Sequence, residues 1–163
     1  MPSRHADTAM DTDARGVGDH VPMADAFSTR TIDIATGSKE TVHDLTAACT
    51  AFLRDAAHGR DGLLNVFVPH ATAGIAIIET GSGSDHDLLS VLQDLLPDEE
   101  DRWRHRHGTP GHGRDHVLPA FVPPHATLPV IGGNLELGTW QSVLLVDTNV
   151  DNPNRQVRLS FLG

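Results

Sequence analysis

The chain reads as an α+β domain built on an antiparallel or mixed sheet, and three observations predict it. Short apolar runs and alternating patterns, the mark of strands, recur through most of the sequence. Helical spacing of apolar residues appears in only two segments, both in the first hundred residues. No glycine-rich phosphate fingerprint is present, which argues against a doubly wound nucleotide fold. With 163 residues, 39% of them apolar before its 15 glycines are added, the chain has material for one packed domain and too little for two.

Residues 1–24 mix Asp, Arg, His, Gly and Ala without periodicity and predict a flexible tail ahead of a single domain over 25–163. Thr and Ile alternate over 28–34 as in a strand, and Gly37 breaks the pattern. Val42, Leu45, Cys49, Phe52, Leu53 and Ala56 recur at helical intervals, with Thr41 and Asp44 resembling a capping pair and Gly59 a stop. The runs 62–68 and 75–78 suit two buried strands separated by a small, polar loop. Ser84 and Asp87 repeat the capping pattern before a second helix that Pro97 helps to end. Between 98 and 116, Gly108, Pro110, Gly111 and Gly113 interrupt any regular pattern and predict a long functional or disordered loop. Strands over 127–131, 135–137, 140–146 and 156–161 complete a meander, with Trp140 expected in the core.

Charge and cysteine content narrow the function. Twelve basic against 22 acidic side chains give a net charge of −10, which disfavours broad nucleic-acid or anionic-membrane binding. A lone Cys49 excludes an intrachain disulfide and any zinc site needing two cysteines of one chain, and its place in a helical pattern predicts inert packing. No run approaches the roughly 20 apolar residues of a membrane span, and the polar start lacks a signal-peptide core, so a cytoplasmic protein is expected.

Histidine is the feature that calls for an explanation, with 11 copies. Five of them, His105, His107, His112, His116 and His125, fall in one short stretch interleaved with arginines. Three readings fit that composition. The stretch is a solvated basic loop, a phosphate patch of arginine forks and imidazolium, or part of a metal site, since zinc accepts three imidazoles and leaves a position open. His70 follows an apolar strand and precedes Ala71, Thr72, Ala73 and Gly74, small residues that let a ligand approach. Glu79 ends the next strand as a candidate base or hydrogen-bond acceptor, or as an ordinary exposed carboxylate. Asp147 and Arg155 are either a binding pair across a loop or a surface ion pair worth little.

HATAG at 70–74, Glu79, the aromatic Trp103 before His105, His116, and LGTWQ at 137–141 occur in the order found in the YjbQ family, also called UPF0047, and the chain resembles that family from about residue 28 to its end. Members are often labelled secondary thiamine-phosphate synthases. The resemblance implies a small sandwich-like α+β fold and a homotrimer with its site near subunit interfaces. It further implies His70, His105 and His116 as metal-site histidines, zinc first among the divalent ions, with Glu79 and Gln141 close by. Ala71 and Ile78 stand where the family has Thr and Asn, and the segment from Asp147 to Arg155 departs from the family's acidic terminal motif.

Two functions follow from that resemblance. In the first, a metal-dependent enzyme acts on a phosphorylated small molecule, with the metal and Arg155 holding phosphate oxygens and Glu79 positioning a proton or water. The labelled reaction joins a pyrimidine diphosphate to a thiazole phosphate and releases pyrophosphate. In the second, a homotrimer binds a metal or ligand without turnover. His107 and His112 are expected as loop or outer residues, and His43, His58, His86 and His125 need no special role.

Overall fold

A computed structural model describes residues 26–163 of the chain; the expected tail, with His5 and His20, lies outside the described residues. The strands form two antiparallel sheets. The larger has the order β1 (Phe27–Ala35), β8 (Asn154–Leu162), β3 (Gly62–Phe67), β5 (His125–Ile131), β6 (Asn134–Leu135). The smaller has β7 (Ser142–Asp147) between β2 (Thr41–Asp44) and β4 (Ala73–Ile78). Among the described residues, the helices α1 (Thr46–Ala56), α2 (Ser84–Leu95) and α3 (His112–Asp115) complete the α+β architecture.

The principal core joins Cys49, Phe52 and Leu53 of α1 to Val66 of β3, Val157 and Leu159 of β8, and Val143 and Leu145 of β7. Because side chains alternate along a strand, Val146 points the other way, into a second apolar cluster with Leu92, Leu96, Leu118 and Val122. Strand β7 is thus buried on both faces, which accounts for its unbroken apolar run. Burial, reinforced by the nearby Asp44 charge, pushes the Cys49 thiol up to about 12. The apolar packing read from its helical spacing is where it sits.

Several local expectations are corrected. The Thr41–Asp44 segment is strand β2, registered on β7 from Thr41 opposite Asp147 to Asp44 opposite Leu144, and is not a helix cap. The helix starts later, at Thr46, whose N–H is held by Asp44 Oδ1 at 2.7 Å. Ser84 is the first residue of α2 and not its cap; Gly83 occupies that place at φ 101°, in the left-handed region glycine tolerates. The 98–116 segment carries a 3-10 turn (Glu100–Arg102) and the single turn α3. Trp140 is 73% exposed, because β7 begins only at Ser142. Gly74 is small to admit the chain itself: a Cβ there would collide with the Val122 carbonyl. Among the described residues no helix is long and apolar enough to cross a membrane.

Candidate functional site

The histidine-rich segment is tied down at both ends. Trp103 packs against the second apolar cluster and donates its indole N–H to the Pro97 carbonyl at 2.8 Å. Ten residues on, Gly113 lies flat against that segment; a Cβ on it would sit 2.5 Å from the His105 carbonyl oxygen and 2.7 Å from Trp103 Cβ. Glycine here lets α3 close onto the strand of chain carrying His105. Helix α3 is fixed from its other side by two buried charges. Arg114 pairs with Glu40 and donates from Nη1 to the Leu96 carbonyl at 3.2 Å. Asp115 accepts the Thr148 hydroxyl at 2.7 Å and Asn149 Nδ2 at 3.0 Å.

One helical turn then places His112 and the following His116 on one face, as an i, i+4 pair must be. Their Nε2 atoms lie 3.1 Å apart. With His105 they offer three imidazole nitrogens all within 4.8 Å of one another. The Nδ1 of His112 lies 2.7 Å from Asp151 Oδ2. The carboxylate can only accept, so Nδ1 carries the proton and Nε2 is left with its lone pair facing His116. Asp151 in turn is held below the usual carboxylate range, first by hydrogen bonding from Thr109 and then by His112.

This donor set fits a divalent ion. Zinc–nitrogen bonds of about 2.0–2.1 Å put tetrahedral ligands roughly 3.3 Å apart, close to the 3.1 Å between the His112 and His116 nitrogens. Ligation needs neutral imidazole. Desolvation first, and the neighbouring imidazoles after it, lower the pKa of both His105 and His116 and favour that form. His107 adjoins the set, its ring centroid 4.0 Å from that of His105 and 4.7 Å from that of His112.

The cluster borders an open groove of about 350 Å³ whose walls include His70, Thr72, His112, His116, Asn154 and Arg155. Arg155 is 2% exposed and is gripped by Asp147, with Nε on Oδ2 at 2.7 Å and Nη2 on Oδ1 at 2.9 Å. Asn149 Oδ1 accepts a further bond from Nη2 at 3.2 Å. The pair is therefore buried, and the surface-ion-pair alternative does not apply. His70 lines the same groove, its Nε2 accepting the backbone N–H of Gln156, the residue after Arg155, at 2.9 Å. Burial, then the Arg155 charge, lowers its pKa, against an opposing pull from Asp147.

Glu79 and Gln141 stand elsewhere in the chain. The β4–β7 register pairs Ala73 with Asp147 beside the groove and Ile78 with Ser142 at the far end; five residues of strand separate those ends by roughly 17 Å. Glu79 accepts the Ser82 hydroxyl at 3.0 Å, and Gln141 accepts the Gly138 N–H at 2.8 Å. Thus His105 and His116 come together with His112, His70 and Arg155 share the adjoining groove, and Glu79 and Gln141 meet neither within one chain. By sequence alone His112 is a loop residue and nothing marks Asp151 or Asn149. The i, i+4 spacing of His112 and His116 was the available signal.

The chain is similar in sequence to several relatives and in fold to several solved structures. UPF0047 protein Rv2556c of Mycobacterium tuberculosis (strain ATCC 25618 / H37Rv) is 60% identical over 136 residues, covering 83% of this chain and 98% of its own. A UPF0047 protein of Methanothermobacter thermautotrophicus is 31% identical over 83% of this chain and 92% of its own. A hypothetical protein from Aeropyrum pernix K1 superposes with a TM-score of 0.74 at 31% identity, over 83% of this chain and 98% of that one. A YbjQ-like protein of unknown function from Sulfolobus solfataricus P2 shares the fold with a TM-score of 0.77 at 23% identity, over 84% of this chain and 97% of that one. The profile described as "UPF0047 protein YjbQ-like" matches residues 30–163, and the chain belongs to that family.

Proposed function

We propose that this protein is a metal-dependent enzyme acting on a phosphorylated small molecule. The observation that carries the reading is the convergence of His105, His112 and His116, backed by Asp151, beside a groove whose wall holds Arg155. The three imidazoles would hold a divalent ion, zinc first among the candidates, and such an ion supplies Lewis-acid polarisation of a phosphoryl oxygen. Arg155 brings a fixed guanidinium to the groove; Asp147 and Asn149 orient its Nε and Nη2 and leave Nη1 without a hydrogen-bond partner among the described residues. His112 is held in its ligating tautomer by Asp151.

Glu79 and Gln141 enter this chemistry only if a neighbouring copy presents its far β4–β7 end to the groove. A homotrimer is therefore part of the proposal, and light scattering of the purified protein tests it. Thiamine-phosphate synthase activity is proposed as a side reaction, read as pyrophosphate release from a pyrimidine diphosphate and a thiazole phosphate.

A second reading, metal or ligand binding without turnover, draws support from His107. A fourth imidazole so near His105 and His112 would close the open position that catalysis requires. Elemental analysis and a turnover assay on wild type and the His105→Ala, His112→Ala, His116→Ala and His107→Ala variants separate the readings. Enzymatic chemistry expects metal lost from the first three variants, metal retained in His107→Ala, and turnover by the wild type. Metal at the wild-type level in His112→Ala or His116→Ala would sink the three-histidine centre.

A further inference from the structure

We infer that His70 is a neutral hydrogen-bond donor to a phosphoryl oxygen in the groove, forming an anion subsite with Arg155 and Thr72, and is not a ligand of the metal. The inference rests on the reading of the groove as a phosphoryl site and assigns the donors that would seat the anion. The backbone N–H of Gln156 is 2.9 Å from His70 Nε2 and can only donate, so Nε2 must accept. A neutral imidazole that accepts at Nε2 carries its proton on Nδ1. A protonated Nδ1 has no lone pair for a metal. It is a donor instead, and among the described residues Nδ1 has no hydrogen-bond partner.

Two further groups around the groove are left in the same condition. Arg155 spends Nε and Nη2 on Asp147 and Asn149, which leaves Nη1 unpaired among the described residues. The Thr72 hydroxyl, on a residue 5% exposed and lining the same groove as His70 and Arg155, has no partner there either. A guanidinium N–H, an imidazole N–H and a hydroxyl around one opening make a donor set for the several oxygens of a phosphoryl group. His112 and His116 line the same groove, so an anion seated on the donors lies beside the imidazole cluster. The division of labour is a metal on the imidazole cluster and neutral and cationic donors beside it along the same groove.

The test uses zinc and inorganic phosphate as probes on wild-type protein, His70→Ala and His70→Asn. The expected result is zinc taken up by both variants at wild-type stoichiometry. Phosphate binding by His70→Ala should weaken about 10- to 100-fold, as for loss of a hydrogen bond to a charged group. His70→Asn, whose amide N–H stands near the place of Nδ1–H, should recover part of that loss. In wild-type protein, nitrogen-detected imidazole correlations should show the Nδ1–H tautomer for His70. Zinc lost from His70→Ala while thermal unfolding shows a folded protein would overturn the assignment and make His70 a ligand, leaving the metal reading intact. Unchanged phosphate affinity in His70→Ala, or an Nε2–H tautomer, would overturn it as well. Wild-type protein that takes zinc but no phosphate overturns both the subsite and the phosphoryl reading, whereas failure to take zinc alone strikes only the metal centre.

Discussion

His112 and Asp151 meet through Nδ1 and Oδ2 at 2.7 Å, joining the helical turn α3 to the loop before β8. Asp151 is the only carboxylate bonded to an imidazole of the cluster among the described residues. It fixes both the ring's orientation and its tautomer. Replacing it with Asn removes the charge and lets the amide present either end to Nδ1. Outer partners of this kind are worth about 10- to 100-fold in metal affinity. Asp151→Asn should therefore bind zinc that much more weakly in a competition titration. Its unfolding curve should stay close to wild type, because Asp151 is an exposed loop residue whose carboxylate is only partly buried. Unchanged zinc affinity would detach Asp151 from the site.

The Asp147–Arg155 pair predicts the opposite pattern. Asp147 is 0% exposed and Arg155 2%, and the two make both fork bonds. Removing one partner of a buried pair strands the other charge, at a cost of about 3–5 kcal/mol. Asp147→Asn should lower the unfolding free energy obtained from urea titration by that amount, with Arg155 uncompensated at the groove. A loss below about 1 kcal/mol would give the pair the weight of a surface ion pair.

How far these relationships were readable in advance depends on their range in sequence. Strands β1, β3 and β8 were legible because each carries its own alternation or apolar run, a local signal. Residues 41–44 carry a misleading local signal because Thr41 and Asp44 imitate a cap, while the partner that makes them a strand, β7, lies about a hundred residues away. Tertiary pairing overrode the local signal. At the site, His105 and His116 are named by the resemblance, but the i, i+4 spacing of His112 and His116 means a shared face only if the segment is helical, and α3 spans only four residues, too few for periodicity to reveal. The convergence of His112 with them depends on Gly113 and on the Arg114–Glu40 and Asp115–Thr148 contacts. None of those long-range contacts has a sequence signature.

Gly113 permits the closest approach in that convergence. A methyl group there would meet the His105 carbonyl at 2.5 Å and Trp103 Cβ at 2.7 Å, backbone and packed ring stem that cannot swing aside. Gly113→Ala should push α3 away from the 103–105 segment and cost about 1–3 kcal/mol of stability, the range for overpacking. Because the shift separates His105 from His112 and His116, zinc affinity should fall in the same variant. Thermal unfolding and zinc titration measure the two effects. A variant with wild-type values in both would show that the segments need no such contact.

His70 gives the fold a dependence on pH whose sign is set by its surroundings. Burial and the Arg155 charge lower its pKa below the ordinary 6.5, so the folded protein resists protonating it. The unfolded chain binds that proton near pH 6.5 and the folded chain does so only at lower pH; the unfolded state therefore holds more protons in between. Above pH 6.5 the ring is neutral in both states and the contribution is complete. As pH falls through 6.5 toward the folded value, stability is lost. Thermal midpoints of wild-type protein should decline over that window, and His70→Asn, which has nothing to titrate there, should decline less steeply. Measuring both proteins across pH 5 to 8 without added metal isolates the difference between them. Parallel curves would mean that His70 titrates alike in the folded and unfolded chains, and that Arg155 exerts no net repulsion on it.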